Sequence, residues 1–412
     1  MPGAHGGTIR PGTDDPGLSV AVERIGGSRA VKILIASNTA WYLWKFRLSL
    51  AQALRAAGHE VVAVAPRDGY APKLAEAGIR FVDVPMDNAG TSPARDLLFL
   101  FRLLRLLRRE QPGVYLGYTI KPNVYGGMAC RWLGIPSIHN VSGLGTAFMK
   151  KGALSRIACL LYRTGLGRAT RVFFQNNEDR SEFVGLGLVP ATVTAVLPGS
   201  GVDLDRFAPR AGPSREDPGP VRFILFARLI WDKGIGEYVA AARQLQREGL
   251  AAKFQLAGFL EVKNRTAVSR TDVDSWVREG VVDYLGETDD VRSWMAQADC
   301  VVLPSYREGT PRSLLEAASM AKPVIAADAP GCRNAVKDGV SGFLCRVRDA
   351  GDLADKMRRM ANMAAEERAA MGRAGRAKME REYDERLVIG RYLDEIAKLA
   401  AEEIAMGNGE VL

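Results

Sequence analysis

The sequence contains few of the residues that cross-link chains or bind transition metals. Its 412 residues include three histidines and five cysteines, and no two cysteines are spaced as C-x-x-C. This composition predicts neither a disulfide framework nor a zinc site, and it favours a reducing compartment such as the cytoplasm. Two acidic pairs, Asp203 with Asp205 and Asp289 with Asp290, are predicted to cap loops and helix starts. We therefore expect no metal site.

Long apolar runs are also missing. No uninterrupted apolar stretch is long enough to span a bilayer, so the sequence does not predict an integral membrane protein. Residues 1–30 are rich in glycine and proline and lack the apolar segment of a secretory signal. We predict that they form a disordered extension.

Acidic residues are scarce in the first half of the chain. Residues 1–200 contain 24 Lys and Arg against 13 Asp and Glu, whereas the remaining residues contain 32 against 34. A basic domain of this kind attracts nucleic acid, anionic lipid or a phosphorylated acceptor. No nucleic-acid-binding module accompanies the charge, so we expect no nucleic-acid partner.

Short apolar segments alternate with helical patterns along two stretches of the chain. The first stretch opens with the strands Val31–Ala36 and Glu60–Ala65 on either side of a helix, which is typical of a parallel sheet. A run rich in proline, glycine and charge at 208–220 separates it from the second stretch. We predict an α/β protein in which a linker joins two Rossmann-like domains, 31–207 and 221–384.

The two domains are expected to face a common cleft, because open parallel sheets bind ligands at the carboxyl ends of their strands. A final helix, at about Glu385–Ala405 in the segment 385–412, is predicted to pack back on the first domain. The other predicted strands are Phe81–Val84, Val114–Gly117, Ser137–Asn140, Arg171–Gln175, Thr192–Val196, Arg222–Phe226, Lys253–Ala257, Val281–Leu285, Cys300–Leu303 and Pro323–Ala326.

The strongest chemical signal is the segment Pro304–Glu316, which follows a buried strand and reads PSYREGTPRSLLE. Thr310 suits a helix N-cap and Pro311 the first helical position. The free amides at this helix start, including those of Gly309 and Thr310, would form a site for an anion such as a diphosphate. The alternative is a solvated surface helix that happens to carry two glutamates.

Those two glutamates suit the two ends of a nucleotide-linked sugar. Glu316 lies five residues past Pro311, roughly 7.5 Å along the helix axis, where a carboxylate can accept hydrogen bonds from ribose. Glu308 precedes the helix and would face the sugar. Arg228 and Lys233, in the segment RLIWDKG after the first strand of the second domain, would neutralise the diphosphate.

Together, the pair of cations and the two glutamates resemble the signature of the retaining GT-B glycosyltransferases of family 4. The resemblance covers nearly the whole chain from Val31. It implies a metal-independent reaction in which the configuration of the sugar is retained. It also implies that main chain near Leu285 contacts the base of the nucleotide. The catalytic residues implied in this way include Arg228, Lys233 and Glu308, and the donor-binding residues are Leu285, Gly309, Thr310, Pro311, Arg312 and Glu316.

The stretches Tyr118–Gly126 and Ser142–Phe148 resemble the PglA-like branch of that family. Its members extend glycans on polyprenyl diphosphate carriers at the cytoplasmic face of the membrane. The resemblance implies transfer of a hexose or an N-acetylhexosamine from a UDP-sugar, which is a substrate and not a cofactor, to such a glycan. A UDP-sugar epimerase with the same fold is the alternative.

The acceptor side departs from the family pattern. Many members have a Gly-Gly pair in the first loop, whereas this chain reads SNTAWYLWKFR over Ser37–Arg47. His139 ends a predicted strand near where related enzymes place a histidine close to the reacting sugar. It either positions that sugar as a catalytic residue or is satisfied in the core. The predicted acceptor residues are Asn38, Arg47, Lys121, Asn123 and Gly143.

Two segments of the first domain combine basic and apolar side chains. Asp96–Arg109 places Arg102, Arg105 and Arg109 on one helical stripe, and 150–171 adds six basic residues around an apolar run. The first segment is either an interfacial helix on anionic lipid or a core helix. Two such segments favour peripheral binding to the cytoplasmic face of the inner membrane. Three aromatic side chains suit lipid contact: Trp41, Tyr42 and Trp44.

Overall fold

The computed structural model describes residues 30–407 apart from 89, 91, 144–152, 211–218, 261 and 263. Three predicted features therefore lie wholly or mostly outside the described residues: the N-terminal extension, the linker and the second half of the Ser142–Phe148 stretch. The described residues form two α/β domains, each built on a parallel sheet.

The sheet of the first domain has seven strands: β1 Lys32–Ala36, β2 Glu60–Ala65, β3 Arg80–Asp83, β4 Val114–Tyr118, β5 Ser137–Val141, β6 Arg171–Phe174 and β7 Thr194–Val196. Their order is 3-2-1-4-5-6-7, and all neighbours are parallel. The central strands are continuous apolar runs because helices cover both faces of the sheet. The strand order reverses between β1 and β4, and such a reversal creates the crevice in which these sheets bind ligands.

The helices of the first domain are α1 Ala40–Ala56, α2 Ala71–Glu76, α3 Pro93–Glu110, α4 Ile120–Leu133, α5 Ala153–Leu166 and α6 Asn177–Gly185. On one face of the sheet, α1 and α2 contribute Leu43, Leu54 and Leu74 to the core. On the other face, apolar side chains of α3 and α4 form a second cluster, and α5 and α6 pack in a third. One face of the basic helix at 96–109 is therefore packed in the core.

The second domain has a six-stranded sheet in the order β10-β9-β8-β11-β12-β13, also parallel. These strands are β8 Val221–Phe226, β9 Ala252–Ala257, β10 Asp283–Tyr284, β11 Cys300–Leu303, β12 Val324–Ala327 and β13 Gly342–Cys345. The helices are α7 Ile235–Arg247, α8 Arg270–Arg278, α9 Arg292–Gln297, α10 Arg312–Ser319, α11 Cys332–Ala335, α12 Ala350–Asn362 and α13 Ala365–Glu382. The predicted strand at 281–285 is reduced to two residues, because the Val281 amide donates to the Trp276 carbonyl at the end of α8 and not to a neighbouring strand.

The chain crosses between the domains twice, and the two crossings are bonded to each other. The Val202 amide donates to the Tyr383 carbonyl at 2.8 Å, and the Glu385 amide donates to the Val202 carbonyl at 3.1 Å. Gly201, at φ +69°, makes this contact possible, since a Cβ there would lie 2.3 Å from the Cα of Glu385.

The last helix, α14 Glu385–Gly407, then returns to the first domain. Its apolar stripe is buried in the same cluster as the inner faces of α1 and α2, which confirms the prediction that it packs back. The side chains concerned are Val388, Ile389, Tyr392, Leu393 and Ile396.

Glu385 at the second crossing predicts a pH-dependent stability. Burial and, after it, the neighbouring Asp203 raise the pKa of Glu385 to about 7. The unfolded chain ionises this carboxyl near its ordinary pKa, whereas the folded protein keeps the proton until about pH 7. Stability is therefore lost as the pH rises through this interval, and the loss is complete above pH 7.

Glu385→Gln removes this titration. We expect it to raise the Tm relative to the wild type at pH 8 and to leave it nearly unchanged at pH 5. At 1.36 kcal/mol per pKa unit, the gain in the free energy of unfolding has an upper bound of about 3 kcal/mol. This gain corresponds to an increase in Tm of several degrees. Calorimetric scans of both proteins at the two pH values check this, and an equal Tm difference at both would contradict it.

Candidate active site

A tight turn at the carboxyl end of β8 carries Lys233. The residues Trp231–Lys233 form one 3-10 turn that ends at Gly234, whose φ is +72°. A Cβ at position 234 would lie 2.2 Å from the carbonyl oxygen of Pro304. Glycine therefore lets this turn approach the segment Pro304–Pro311, which joins β11 to α10. Arg228 lies in the same turn region with its side chain exposed.

Lys233 and Glu308 form an ion pair across these two loops. Their side chains are only 16% and 14% exposed, so the charges are partly removed from water and each depends on the other. An ammonium group in this position can be shared between the carboxylate and a phosphate. The structure therefore brings together one predicted cation and the predicted sugar-facing carboxylate.

The helix start differs from the predicted one. Helix α10 begins at Arg312, and Pro311 takes the N-cap position without a side-chain cap. The Thr310 hydroxyl does not cap the helix, because it donates instead to the carbonyl of Gln175 in the first domain, at 3.1 Å. Gly309 and Thr310 therefore lie in the interface between the domains, and the free amides of the helix begin one residue later.

Arg312 and Glu316 form a second ion pair, one turn apart on α10, at 3.0 Å. Arg312 also reaches the first domain, where it donates to the carbonyl of Lys45 at 3.2 Å and lies over the ring of Phe46 at 5.2 Å. Both predicted donor carboxylates thus have a cation beside them. Such pairing holds each carboxylate in a defined orientation.

The loop after β10 carries Leu285 to the carboxyl edge of the second sheet. The Leu285 amide donates to the Leu256 carbonyl at 2.9 Å, and the Gly286 carbonyl accepts from the Gly258 amide at 2.8 Å. The Leu285 side chain is half-buried. The main chain predicted to contact the base is therefore fixed at the end of β9, on the same edge as Lys233.

Asp289, a few residues farther on, bonds to the first domain. Its carboxylate accepts from the Tyr70 hydroxyl at 2.5 Å and pairs with Lys45 at 3.1 Å. The hydrogen bond from Tyr70 is the main cause that lowers the pKa of Asp289. The predicted capping role holds for Asp290, which accepts from the Arg292 amide. It is incomplete for Asp289, because this carboxylate bridges to Tyr70 and Lys45, which are far from it in sequence.

His139 and Asn123 lie in the interior of the first domain. The His139 side chain has no exposed surface, and its ring nitrogens lie 3.3 Å from Asn123 Oδ1 and 3.0 Å from Ser137 Oγ. Burial lowers the pKa of His139 to about 3, so the ring is neutral. Asn123 is 1% exposed and donates to the Asn140 carbonyl. These buried positions correct the predictions that His139 and Asn123 contact the substrate. For His139, they agree with the alternative that the ring is satisfied in the core.

Arg47 is likewise buried, at 2% exposure, against aromatic rings. Its guanidinium lies 4.2 Å from the centre of the Tyr118 ring and donates to the Tyr42 hydroxyl at 3.3 Å. Lys121 is held by an ion pair with Asp96 of α3. Arg47 is therefore not placed for direct substrate contact, whereas Lys121, at 15% exposure, stays a predicted acceptor residue. Tertiary packing supplies both with partners that the sequence does not reveal.

Asn38 and Gly143 are the predicted acceptor residues that reach the cleft edge. Asn38 is half-buried in the loop after β1. Gly143, at φ +139°, follows β5, and a Cβ built on it would lie 3.6 Å from the Gly309 amide nitrogen. The loop after β5 therefore meets the loop that carries Glu308, directly across the cleft.

Two further observations concern metal and membrane. Among the residues that the structure describes, no three His, Cys, Asp or Glu side chains are grouped as metal ligands. Within the same residues, no helix is both long enough and apolar enough to cross a membrane.

The comparisons with known proteins cover both domains. Residues 220–363 match the family model described as glycosyl transferases group 1, and residues 43–200 match that of a glycosyl transferase 4-like domain. A crystal structure of the Anabaena protein HepE in complex with UDP and glucose is similar in fold, with a TM-score of 0.72 at 20% identity over 89% of this chain and 99% of that one. This likeness confirms the GT-B fold.

Two curated enzymes are similar in sequence. N,N'-diacetylbacillosaminyl-diphospho-undecaprenol alpha-1,3-N-acetylgalactosaminyltransferase of Campylobacter jejuni is 27% identical over 380 residues, which cover 88% of this chain and 97% of that enzyme. UDP-Gal:alpha-D-GlcNAc-diphosphoundecaprenol alpha-1,3-galactosyltransferase of Escherichia coli is 27% identical over 282 residues, or 66% of this chain and 72% of that enzyme. The two family models and these relatives show that the chain belongs to the group 1 glycosyltransferases of family 4.

Proposed function

We propose that this protein transfers a hexose or an N-acetylhexosamine from a UDP-sugar to a glycan carried on polyprenyl diphosphate. The observation that supports this most directly is the arrangement of Lys233, Glu308 and Glu316 along one edge of the cleft. A lysine beside one carboxylate, with a second carboxylate on the helix that follows, suits a diphosphate flanked by a sugar and a ribose. The Campylobacter and Escherichia relatives are both named for substrates on undecaprenol diphosphate, and HepE was crystallised with UDP and glucose.

We infer that the configuration at the anomeric carbon is retained. The names of both curated relatives specify an alpha-1,3 transfer, and an α-linked donor that yields an α linkage keeps its configuration. In the proposed step the acceptor hydroxyl oxygen bonds to the anomeric carbon as the bond from that carbon to the phosphate oxygen breaks on the same face. The departing phosphate takes the hydroxyl proton, and UDP leaves.

The protein contributes position and charge to this step. Lys233 and Arg228 would stabilise the negative charge that grows on the departing phosphate, which supports a reaction that needs no metal ion. Glu308 would hold hydroxyl groups of the transferred sugar, and Glu316 those of the ribose. Arg228, Lys233 and Glu308 lie on loops at the carboxyl edge of the second sheet, and Glu316 lies one turn into the helix that begins there.

The exposed apolar side chains of the first domain support binding to a membrane surface. On α3, Leu97, Leu98 and Phe101 are 66%, 47% and 59% exposed, and on α5, Ile157 and Leu160 are 55% and 61% exposed. These five residues are called the apolar face below. Helices α3 and α5 both pack on α4, and exposed apolar side chains gathered on one such layer of helices mark an interaction site.

The direction of the helices places the apolar face near the cleft. Crossover helices of a parallel sheet run opposite to its strands, so the first halves of α3 and α5 lie at the carboxyl edge of the sheet. Leu97, Leu98, Phe101 and Ile157 fall in those first halves, and Leu160 lies at the middle of α5. An acceptor anchored in a bilayer could therefore reach the cleft while the exposed Arg105 and Arg108 of α3 face anionic headgroups. The proposed location is the cytoplasmic face of the inner membrane.

The aromatic residues predicted for lipid contact have other roles. Trp41 packs edge-on against Phe46 and against Phe259 of the second domain, with ring centres 5.3 and 6.2 Å apart. Tyr42 packs on Phe46, and Trp44 packs against the core. These side chains belong to the domain interface and the core, so the apolar face replaces them in the proposal.

Substitution of the apolar face should weaken membrane binding. Phe101→Glu combined with Leu160→Glu is expected to reduce co-sedimentation with phosphatidylglycerol vesicles at least tenfold, since burial of each large apolar side chain contributes about 1.5–3 kcal/mol. Val277→Glu, at an exposed apolar position of the second domain, is the control and should bind normally. Arg105→Glu with Arg108→Glu should weaken binding to anionic vesicles only. Unchanged binding of the first variant would exclude this surface.

Mass spectrometry of the products tests the function itself. The protein is incubated with membranes from its source and a panel of UDP-sugars, with and without EDTA. A lipid-linked glycan lengthened by one sugar, in equal yield with EDTA, is the expected result. Loss of activity with EDTA would contradict the metal-independent step. A UDP-sugar converted to its isomer would instead indicate an epimerase, which the two transferase relatives do not support.

A further inference from the structure

The segment that carries Glu308 is held by both domains. Within the second domain, the Glu308 amide donates to the Pro330 carbonyl at 3.1 Å. From the first domain, the side-chain nitrogen of Asn176 donates to the Gly309 carbonyl at 3.1 Å and to the Glu308 carbonyl at 3.3 Å. The main chain on either side of the Glu308 to Gly309 link therefore depends on a residue of the opposite domain.

Asn176 has a second task that fixes its orientation. It is the N-cap of α6, is 1% exposed, and its side-chain oxygen accepts from the Asp179 amide at 2.7 Å. Because the cap requires the oxygen for the helix amide, the nitrogen is left to donate to the two carbonyls of the second domain and, at 3.2 Å, to the Asp179 carboxylate. Serine, aspartate and asparagine all cap helices well, but only asparagine among them supplies an amide nitrogen that donates on the far side.

Neighbouring contacts extend the same interface along the segment. Arg307, the residue before Glu308, donates to Asp179 at 2.6 Å and to Glu182 at 2.8 Å, both on α6. Thr310 on the other side donates to the Gln175 carbonyl. Four consecutive residues of the segment, 307 to 310, therefore contact the end of β6 and the start of α6.

We propose that Asn176 is a positioning residue that places the Glu308 carboxylate for catalysis when the two domains are together. The role rests on the proposed function, in which Glu308 holds the transferred sugar. With Asn176 bonded to both carbonyls, the peptide planes next to Glu308 are fixed, and so is the direction of its side chain toward Lys233. Separation of the domains would release those planes, so donor activation is coupled to closure of the cleft.

Asn176→Ser separates the two tasks of the residue, because serine keeps the cap and lacks the amide donor. We expect kcat for transfer to fall about tenfold or more, as two hydrogen bonds of ordinary strength are lost, with the KM for the UDP-sugar and the affinity for UDP little changed. Hydrogen exchange of peptides covering 304–311 should become faster. Asn176→Asp, which caps but cannot donate when ionised, should show the larger effect.

Ser269→Ala is the matched control, since Ser269 is the exposed N-cap of α8 and its side chain bonds within its own capping box, to Asp272. This variant should lower the Tm about as much as Asn176→Ser does. It should leave kcat and the hydrogen exchange of peptides covering 304–311 unchanged. If Asn176→Ser kept the kcat of the wild type and the same hydrogen exchange at 304–311, the proposal would be overturned. If the wild-type protein transferred no sugar at all, the proposed function would fail, and the exchange measurement would still decide whether Asn176 holds the segment.

Discussion

Lys233→Ala should lower kcat for sugar transfer by about 10²- to 10³-fold, the loss typical when one group that stabilises transition-state charge is removed. In the structure the Lys233 ammonium is paired with Glu308 and mostly shielded from water, so its charge acts through little intervening solvent. The effect on KM for the UDP-sugar should be smaller, because the negative charge on the phosphate grows as the bond to the sugar breaks. Steady-state kinetics with the donor identified by mass spectrometry checks this.

Removal of Lys233 also leaves the Glu308 carboxylate without its partner, which could lower stability for a separate reason. The double variant Lys233→Ala with Glu308→Gln removes that unpaired charge, and we expect it to recover Tm while kcat stays low. Lys253→Ala, at an exposed position on β9, is the control for loss of a lysine in the same domain. Near-normal turnover by Lys233→Ala would exclude the lysine from the diphosphate site.

Gly309→Ala should reduce sugar transfer as strongly as Lys233→Ala, but for a steric reason. A Cβ at position 309 would lie 2.1 Å from the Ser142 carbonyl oxygen and 2.5 Å from the Gln175 side-chain oxygen, both in the first domain. The first contact is with main chain, which cannot rotate away, so the methyl group must separate the two loops across the cleft. We expect a loss of at least 100-fold in kcat, because a misplacement of about 1 Å in an active site costs that much.

The affinity for UDP distinguishes separation of the domains from misfolding of Gly309→Ala. The proposed nucleotide site lies within the second domain, so UDP binding measured by calorimetry should persist while transfer is lost. Gly390→Ala is the matched control, since nothing lies within 4 Å of a Cβ there; this helical position should gain stability slightly. Loss of UDP binding together with transfer would indicate that the substitution disrupts the second domain itself.

The sequence predicted well the features that follow from a local pattern. The two parallel sheets follow from short apolar runs separated by helical patterns, and Lys233 and Glu308 meet because each follows the carboxyl end of a strand in one sheet. The missed strand β13 is short and follows a tight turn at Gly339, where no alternating pattern marks it.

The acceptor side could not be predicted in the same way. Asn123 and His139 pair with each other inside the first domain, and Arg47 lies between Tyr42 of its own helix and Tyr118 of β4. Their polarity indicated a site, yet their partners are brought to them only by the fold. The bridges from Asn176 to the Glu308 segment and from Tyr70 to Asp289 span 132 and 219 residues, and no local pattern gives such pairings.

The return of α14 to the first domain also constrains how the protein is made. The core beside α1 and α2 is closed by Tyr392, Leu393 and Ile396, which a ribosome adds only after the whole of the second domain. Domains usually fold in the order in which they are synthesised, but here the first domain must wait, with that apolar surface uncovered, until translation of the second is finished. A nascent chain stalled before residue 385 should therefore expose this surface to chaperones, although nearly all of the first domain has already left the ribosome.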